Sequence, residues 1–180
     1  FYYASTSSVY GLNNKLPYDE KKSTDFPMNF YAATKKCNEV IAHSYSHLYK
    51  INTVGLRFFT VYGPWGRPDM ALFKFTKKIK DKRNIKVFNY GNHYRDFTYI
   101  GDVVESIIKL IEKNINLSKK KKLNRYQIFN IGNEKMELLK KYISLIEKYL
   151  KIKAKKKFLP IQAGDMKATY SDSNKLYKYI

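Results

Sequence analysis

Asn29-Phe30-Tyr31-Ala32-Ala33-Thr34-Lys35 opens a long stretch free of glycine and proline, residues 29–50. Asn29 follows Pro27-Met28 and is a natural N-cap, so a helix is expected from there. Residues four apart lie on one helix face about a turn from each other, which puts the Lys35 ammonium beside the Tyr31 phenol. A free phenol, with a pKa of about 10, is a poor base at neutral pH, and a nearby cation favours its ionised form. The spacing suits a general acid/base. On spacing alone, however, a packed tyrosine and a solvated lysine would be the commoner explanation in a chain with 17 tyrosines and 35 basic residues.

The surroundings of the pair decide the matter. Upstream lies Tyr3-Ala4-Ser5-Thr6-Ser7-Ser8-Val9-Tyr10-Gly11, the tail of a buried strand (Phe1 to Ala4) running into a hydroxyl cluster. Downstream, a β-branched and aromatic run from Thr53 to Phe59 reads as a second buried strand. It leads into Thr60-Val61-Tyr62-Gly63-Pro64-Trp65-Gly66-Arg67-Pro68-Asp69. In open α/β sheets ligands bind in the loops beyond the carboxyl ends of the strands, where both polar segments fall.

With these three motifs in this order, the chain resembles the extended short-chain dehydrogenase/reductases that act on nucleotide sugars, and most closely the UDP-glucuronate 4-epimerases. The resemblance runs from Phe1 to about Lys175. It implies an α/β fold: the second half of a Rossmann-type doubly wound parallel sheet, plus a smaller α/β sugar-nucleotide-binding domain. Residues 1–69 would carry the catalytic part, and 70–180 would be mainly substrate-binding and interleaved with it.

The resemblance also implies roles. Thr6, Tyr31 and Lys35 are the expected catalytic residues, with Thr6 on the sugar 4-oxygen and Lys35 on both the phenol and the nicotinamide ribose of NAD. Tyr31, Lys35, Phe58 and Tyr62 are expected at the cofactor. Thr60 and Arg67, with Ser7 and Ser8, would fix a uronate carboxylate, and a guanidinium suits that task because it offers two parallel charge-assisted bonds. Val87 and Phe88 would frame the uracil. Arg95, in Tyr94-Arg95-Asp96-Phe97-Thr98-Tyr99, would hold the pyrophosphate, and Asp165 would bond the ribose. The 4,6-dehydratases carry an Asp-Glu pair at positions 7 and 8, where this chain has two serines, so elimination is disfavoured. The implied reaction is NAD-dependent conversion of UDP-glucuronate to UDP-galacturonate through a 4-keto intermediate. A neutral UDP-sugar 4-epimerase, or another nucleotide-sugar epimerase or dehydratase, is the alternative, and a non-enzymatic basic binding module a remote one.

None of the eight glycines forms the Gly-rich strand-to-helix turn that holds a dinucleotide pyrophosphate. The expectation is therefore a fragment that lacks the adenosine-binding half and is inactive alone; the resemblance further implies a homodimer in the full-length form.

Composition narrows the remaining classes. The net charge is +20, but only Arg57, Arg67, Arg83, Arg95 and Arg125 among the 35 basic residues are arginines. Recognition surfaces favour arginine, so the excess reads as a solvated lysine surface, with no nucleic-acid partner. No apolar run approaches a membrane span. Cys37 has no partner for a disulfide, which suits a reducing cytoplasm, and as a small apolar residue it is expected to be buried on the helix. His43 and His47 have zinc-ligand spacing without the acid of a metalloprotease motif, and no metal site is expected.

Expected helices further along are Met70–Lys82, Val103–Lys113 with Asp102 as N-cap, and Met136–Leu150. Ile85–Phe88 and Gln127–Ile131 read as strands, and the lysine run at 119–122 as a solvated loop.

Overall fold

A computed structural model describes residues 1–13, 15–120 and 124–180. The strands are β1 (Tyr2–Thr6), β2 (Thr53–Phe58), β3 (Thr60–Tyr62), β4 (Ile85–Val87), β5 (Tyr94–Tyr99), β6 (Tyr126–Ile131), β7 (Met136–Leu138) and β8 (Lys156–Phe158). The helices are α1 (Phe30–Tyr49), α2 (Ala71–Lys80), α3 (Ile100–Lys119), α4 (Leu139–Leu150) and α5 (Asn174–Tyr179).

β1, β2 and β6 form a parallel sheet in that spatial order, with Tyr2 opposite Val54 and Val54 opposite Gln127. Side chains alternate across a strand, so β2 splits its residues between two unlike faces. Val54 and Leu56 join Phe129 and Ile131 in an apolar core closed by Val103 and Leu110 of α3 and Leu176 of α5. Gly55 and Arg57 face α1, whose buried positions are the small or polar Ala32, Glu39, Ala42 and Ser46. That second face is held together by polar contacts described below.

β3 and β5 run parallel, and β7 is antiparallel to β5; β4 and β8 form a separate parallel pair. Phe75 and Ile79 of α2, Ile85 and Val87 of β4, and Ile143 and Ile146 of α4 make the second apolar core. β6, far along the chain, completes the first sheet.

Several local expectations need correction. Met136–Leu138 is a strand: β5 offers it a pairing edge that outweighs the helical pattern, and the helix starts only at Leu139. α3 begins at Ile100 with Tyr99 as N-cap, so Asp102 lies in its first turn, where an acid still complements the helix dipole. The same helix continues to Lys119 with Lys120 as its C-cap, so that end of the lysine run is helical; Lys121 and Lys122 lie outside the described residues. Cys37 is exposed, because the stripe of α1 that meets the sheet passes through Ala32, Glu39 and Ala42.

Candidate active site

α1 starts where the sequence predicts, because Asn29 is extended and its Oδ1 accepts the Ala32 backbone N–H at 2.8 Å. Ala32 is fully buried on the sheet side, which leaves its neighbour Tyr31 at the rim, 52% exposed. The Tyr31 hydroxyl takes part in no hydrogen bond among the described residues. One turn on, Lys35 places its Nζ 5.9 Å from the centroid of the Tyr31 ring and donates to the Ala4 carbonyl at 3.0 Å. An ammonium has three donors, so this bond secures α1 to β1 and leaves two for other partners.

One further turn along the same face, Glu39 is buried beneath the pair. Its Oε1 accepts from Ser5 Oγ at 2.6 Å and from Arg57 Nε at 2.8 Å, and its Oε2 accepts from Arg57 Nη2 at 2.8 Å. The Arg57 guanidinium also lies 4.9 Å from the Tyr10 ring centroid. Burial opposes its charge, but the bonds to Glu39 and the proximity of Tyr10 hold its pKa above the ordinary arginine value. Ser5 and Glu39 therefore join the end of β1 to the helix that bears Tyr31.

Thr6 is engaged differently from the expected sugar contact. It is the N-cap of a 3₁₀ turn (Ser7–Tyr10), accepting from the Ser8 backbone N–H at 3.2 Å and donating to Ser8 Oγ at 3.3 Å. The capping role is thus real, although a hydroxyl keeps a second acceptor position. Ser7 is buried and Ser8 half-buried in the same turn.

Arg67 is also partnered within the chain. Its Nε donates to Asp69 Oδ1 at 3.0 Å and its Nη2 to Asp69 Oδ2, on an exposed loop. The hydrogen bonds and charge of Asp69 raise its pKa. The sequence favours a ligand for this arginine, and in the structure the neighbouring acid has it. The reason is that a partner two residues away is always present.

The aromatic and nucleotide-side residues divide. Thr60 opens β3 opposite Phe97, and Tyr62 packs against Phe97 and Tyr99 at centroid distances of 6.5 and 5.7 Å. Phe58, expected at the cofactor, packs its side chain on the apolar core on the α3 side of the sheet. Val87, expected at the uracil, is fully buried between α2 and α4 with its backbone paired to β8, while Phe88 is half-buried.

Arg95 and Asp165, 70 residues apart, are brought together. Arg95 Nη2 donates to Asp165 Oδ1 at 2.8 Å, and Nη1 to the Tyr94 and Lys167 carbonyls at 3.0 and 3.3 Å. Burial draws the Arg95 pKa below its ordinary value against the pull of Asp165. The other face of Asp165 opens on a cavity of about 480 Å³ that Leu12, Tyr18, Met28 and Gln162 also line.

Sequence reasoning missed His93, which is buried behind this pair. Its Nε2 is 3.2 Å from Asp165 Oδ2 but off the line a hydrogen bond needs, so it stays without one. Burial and then the Arg95 charge lower its pKa against the opposing pull of Asp165. Its position two residues before Arg95, on one face of an extended segment, was the available signal. Glu39 was missed too, although its spacing of four from Lys35 marks the same helix face. Asp96, fully buried, accepts the backbone N–H groups of Asn133, Glu134 and Ser171 at 2.8 to 3.1 Å and so braces the loops behind β5.

Residues 1–132 match the model of the NAD dependent epimerase/dehydratase family. The chain belongs to that family. Over 99% of its length it is 54% identical to an uncharacterized protein of Methanocaldococcus jannaschii, covering 52% of that protein. Over 94% it is 48% identical to UDP-glucuronate 4-epimerase 5 of Arabidopsis thaliana, covering 41% of it. The crystal structure of UDP-glucuronic acid 4-epimerase from Bacillus cereus, in complex with UDP-glucuronic acid and NAD, superposes with a TM-score of 0.88 at 33% identity; the match covers 99% of this chain and 54% of that one. The chain thus spans about half the length of the relatives it matches. The fold is α/β of the Rossmann type shared by these epimerases.

Proposed function

We propose that this chain is the catalytic and sugar-nucleotide-binding part of an NAD-dependent UDP-glucuronate 4-epimerase. The observation that carries the reading is the Tyr31 phenol at the rim of the site, without a hydrogen bond among the described residues, and the Lys35 ammonium one turn away. The identities to enzymes named for this reaction support it.

The residues fit one end of NAD. Lys35 has donors to spare after its bond to Ala4, and the Tyr31 hydroxyl is open, so these two would hold the nicotinamide ribose. A Gly-rich pyrophosphate turn is not among the residues of this chain. When bound, NAD would supply the hydride acceptor and donor at sugar C4. Tyr31 takes the proton of the sugar 4-hydroxyl and returns it after the 4-keto sugar has presented its other face. Ser8, with Thr6 behind it, offers hydroxyls to the sugar. Arg67 turns from Asp69 to the uronate carboxylate, which fixes the ring and discourages loss of CO2. Asp165, aimed by Arg95, takes the ribose hydroxyls.

The discriminating experiment is Arg67→Ala in the full coding sequence, with Kd measured for UDP-glucuronate and UDP-glucose. A charge-assisted bidentate contact is worth about 1.5–3 kcal/mol. The expected result is a loss of roughly 10- to 100-fold for the uronate with little change for UDP-glucose. Equal effects on both would remove the uronate assignment. That outcome would favour a neutral UDP-sugar 4-epimerase, the reading to which the Arg67–Asp69 pair already lends weight.

Association into a homodimer belongs to the same proposal. The outward face of α1 carries exposed Ile41, Tyr45 and Leu48, an apolar stripe suited to burial against another chain. Among the described residues no helix is long and apolar enough to cross a membrane, and we place the enzyme in the cytoplasm.

A further inference from the structure

Asn29 uses both ends of its amide. Oδ1 accepts the Ala32 N–H at 2.8 Å and caps α1, while Nδ2 donates to the Gly164 carbonyl, 135 residues away, at 3.1 Å. The two partners fix the amide orientation, since the flipped amide would set NH₂ against N–H and oxygen against oxygen. Capping alone does not require asparagine, because serine, threonine and aspartate cap as well. The second bond does require it, or another donor of the same reach.

The segment it ties down is drawn close. Gly164 has φ +74°, and a Cβ there would lie 3.1 Å from the Met28 carbonyl oxygen. Asp165 follows at once, with its N–H on the Gln162 carbonyl at 3.2 Å. Asn29 therefore stands two residues before Tyr31 and is bonded to the residue before Asp165. A nucleotide sugar is held at its ribose by one of these residues and reacts at its sugar C4 with the other. The distance between them must match the ligand, and a misplacement of about 1 Å at a reacting centre can lower turnover by roughly 10²-fold.

We infer that Asn29 is a positioning residue: it sets the span between the nucleotide-holding segment at Asp165 and the phenol of Tyr31. The inference rests on the reading above, in which Asp165 takes the ribose and Tyr31 moves the proton.

The test uses Asn29→Asp, which keeps the capping oxygen and replaces the donor by an acceptor that repels the Gly164 carbonyl. Asn29→Ser, which caps but does not reach, is the second variant. Both are made in the full coding sequence, and Tyr31 is also labelled as 3-fluorotyrosine. In the parent protein saturating UDP is expected to shift the ¹⁹F resonance of residue 31. In both variants the melting temperature and the UDP affinity stay near the parent values, the ¹⁹F response to UDP is lost, and turnover of UDP-glucuronate falls at least about tenfold.

An unchanged ¹⁹F response with parental turnover would overturn the inference. So would a loss of UDP affinity and melting temperature in step with turnover, which would make Asn29 a fold residue only. Failure of the parent protein to bind UDP would overturn the reading of Asp165 and the inference with it, and is told apart from the other outcomes by the parent titration itself.

Discussion

Tyr31→Phe is expected to lower turnover of UDP-glucuronate by about 10²–10⁴-fold, the range supplied by a positioned general acid/base, while UDP binding and the melting temperature stay at their parental values. The substitution removes one oxygen. That oxygen makes no hydrogen bond among the described residues, and the ring at the rim of α1 is already 52% exposed, so little packing is lost. Lys35 remains on the Ala4 carbonyl, so the helix stays tied to β1. On the proposed mechanism, what is removed is the group that takes and returns the proton of the sugar hydroxyl. Steady-state kinetics on the full coding sequence, beside a UDP titration of the same preparation, separate the two effects. Turnover within a few fold of the parent would exclude Tyr31 as the acid/base.

Glu39→Ala carries the largest expected loss of stability, about 3–5 kcal/mol, because it strands a buried charge. Arg57 would keep its guanidinium in a site where its side chain is 4% exposed, with both bonds to Glu39 gone and Nη1 already without a partner. Ser5 Oγ would lose its acceptor as well. For a chain of this size, the loss corresponds to a fall in melting temperature of roughly 6–20 °C. Replacing both members, Glu39→Met with Arg57→Met, should recover most of it, since apolar residues of similar volume often substitute for a buried pair without net cost. Thermal unfolding of the two single variants and the double variant measures the coupling. If Glu39→Ala melted within a degree or two of the parent, the pair would not be what holds α1 against β1 and β2.

Reading the sequence recovered what is encoded locally. The cap at Asn29, the length of α1 and the four-residue spacing of Tyr31 and Lys35 are properties of a contiguous stretch, and so were legible. The strands near Tyr2, Thr53 and Gln127 announce themselves by β-branched and aromatic runs that need burial on both faces of a parallel sheet. Met136–Leu138 was misread because a strand of three residues is decided by its partner, β5, rather than by its own pattern. Arg67 was assigned to a ligand because the motif around it points to one, whereas an unliganded chain satisfies that charge with the acid two residues along.

Motif and spacing, then, determined the family resemblance, the fold class and the proposal of Tyr31 and Lys35 as the reacting pair, since each depends on residues within a few turns of one another. The tertiary structure decided which distant groups share an environment. It turned Val87 and Phe58 inward, set Glu39 beneath the pair on Arg57 and Ser5, placed His93 behind Asp165, and joined Asn29 to Gly164. Those outcomes follow from how segments up to 135 residues apart pack. A buried polar group takes whichever partner the packing leaves within reach, and no local stretch of sequence specifies that choice.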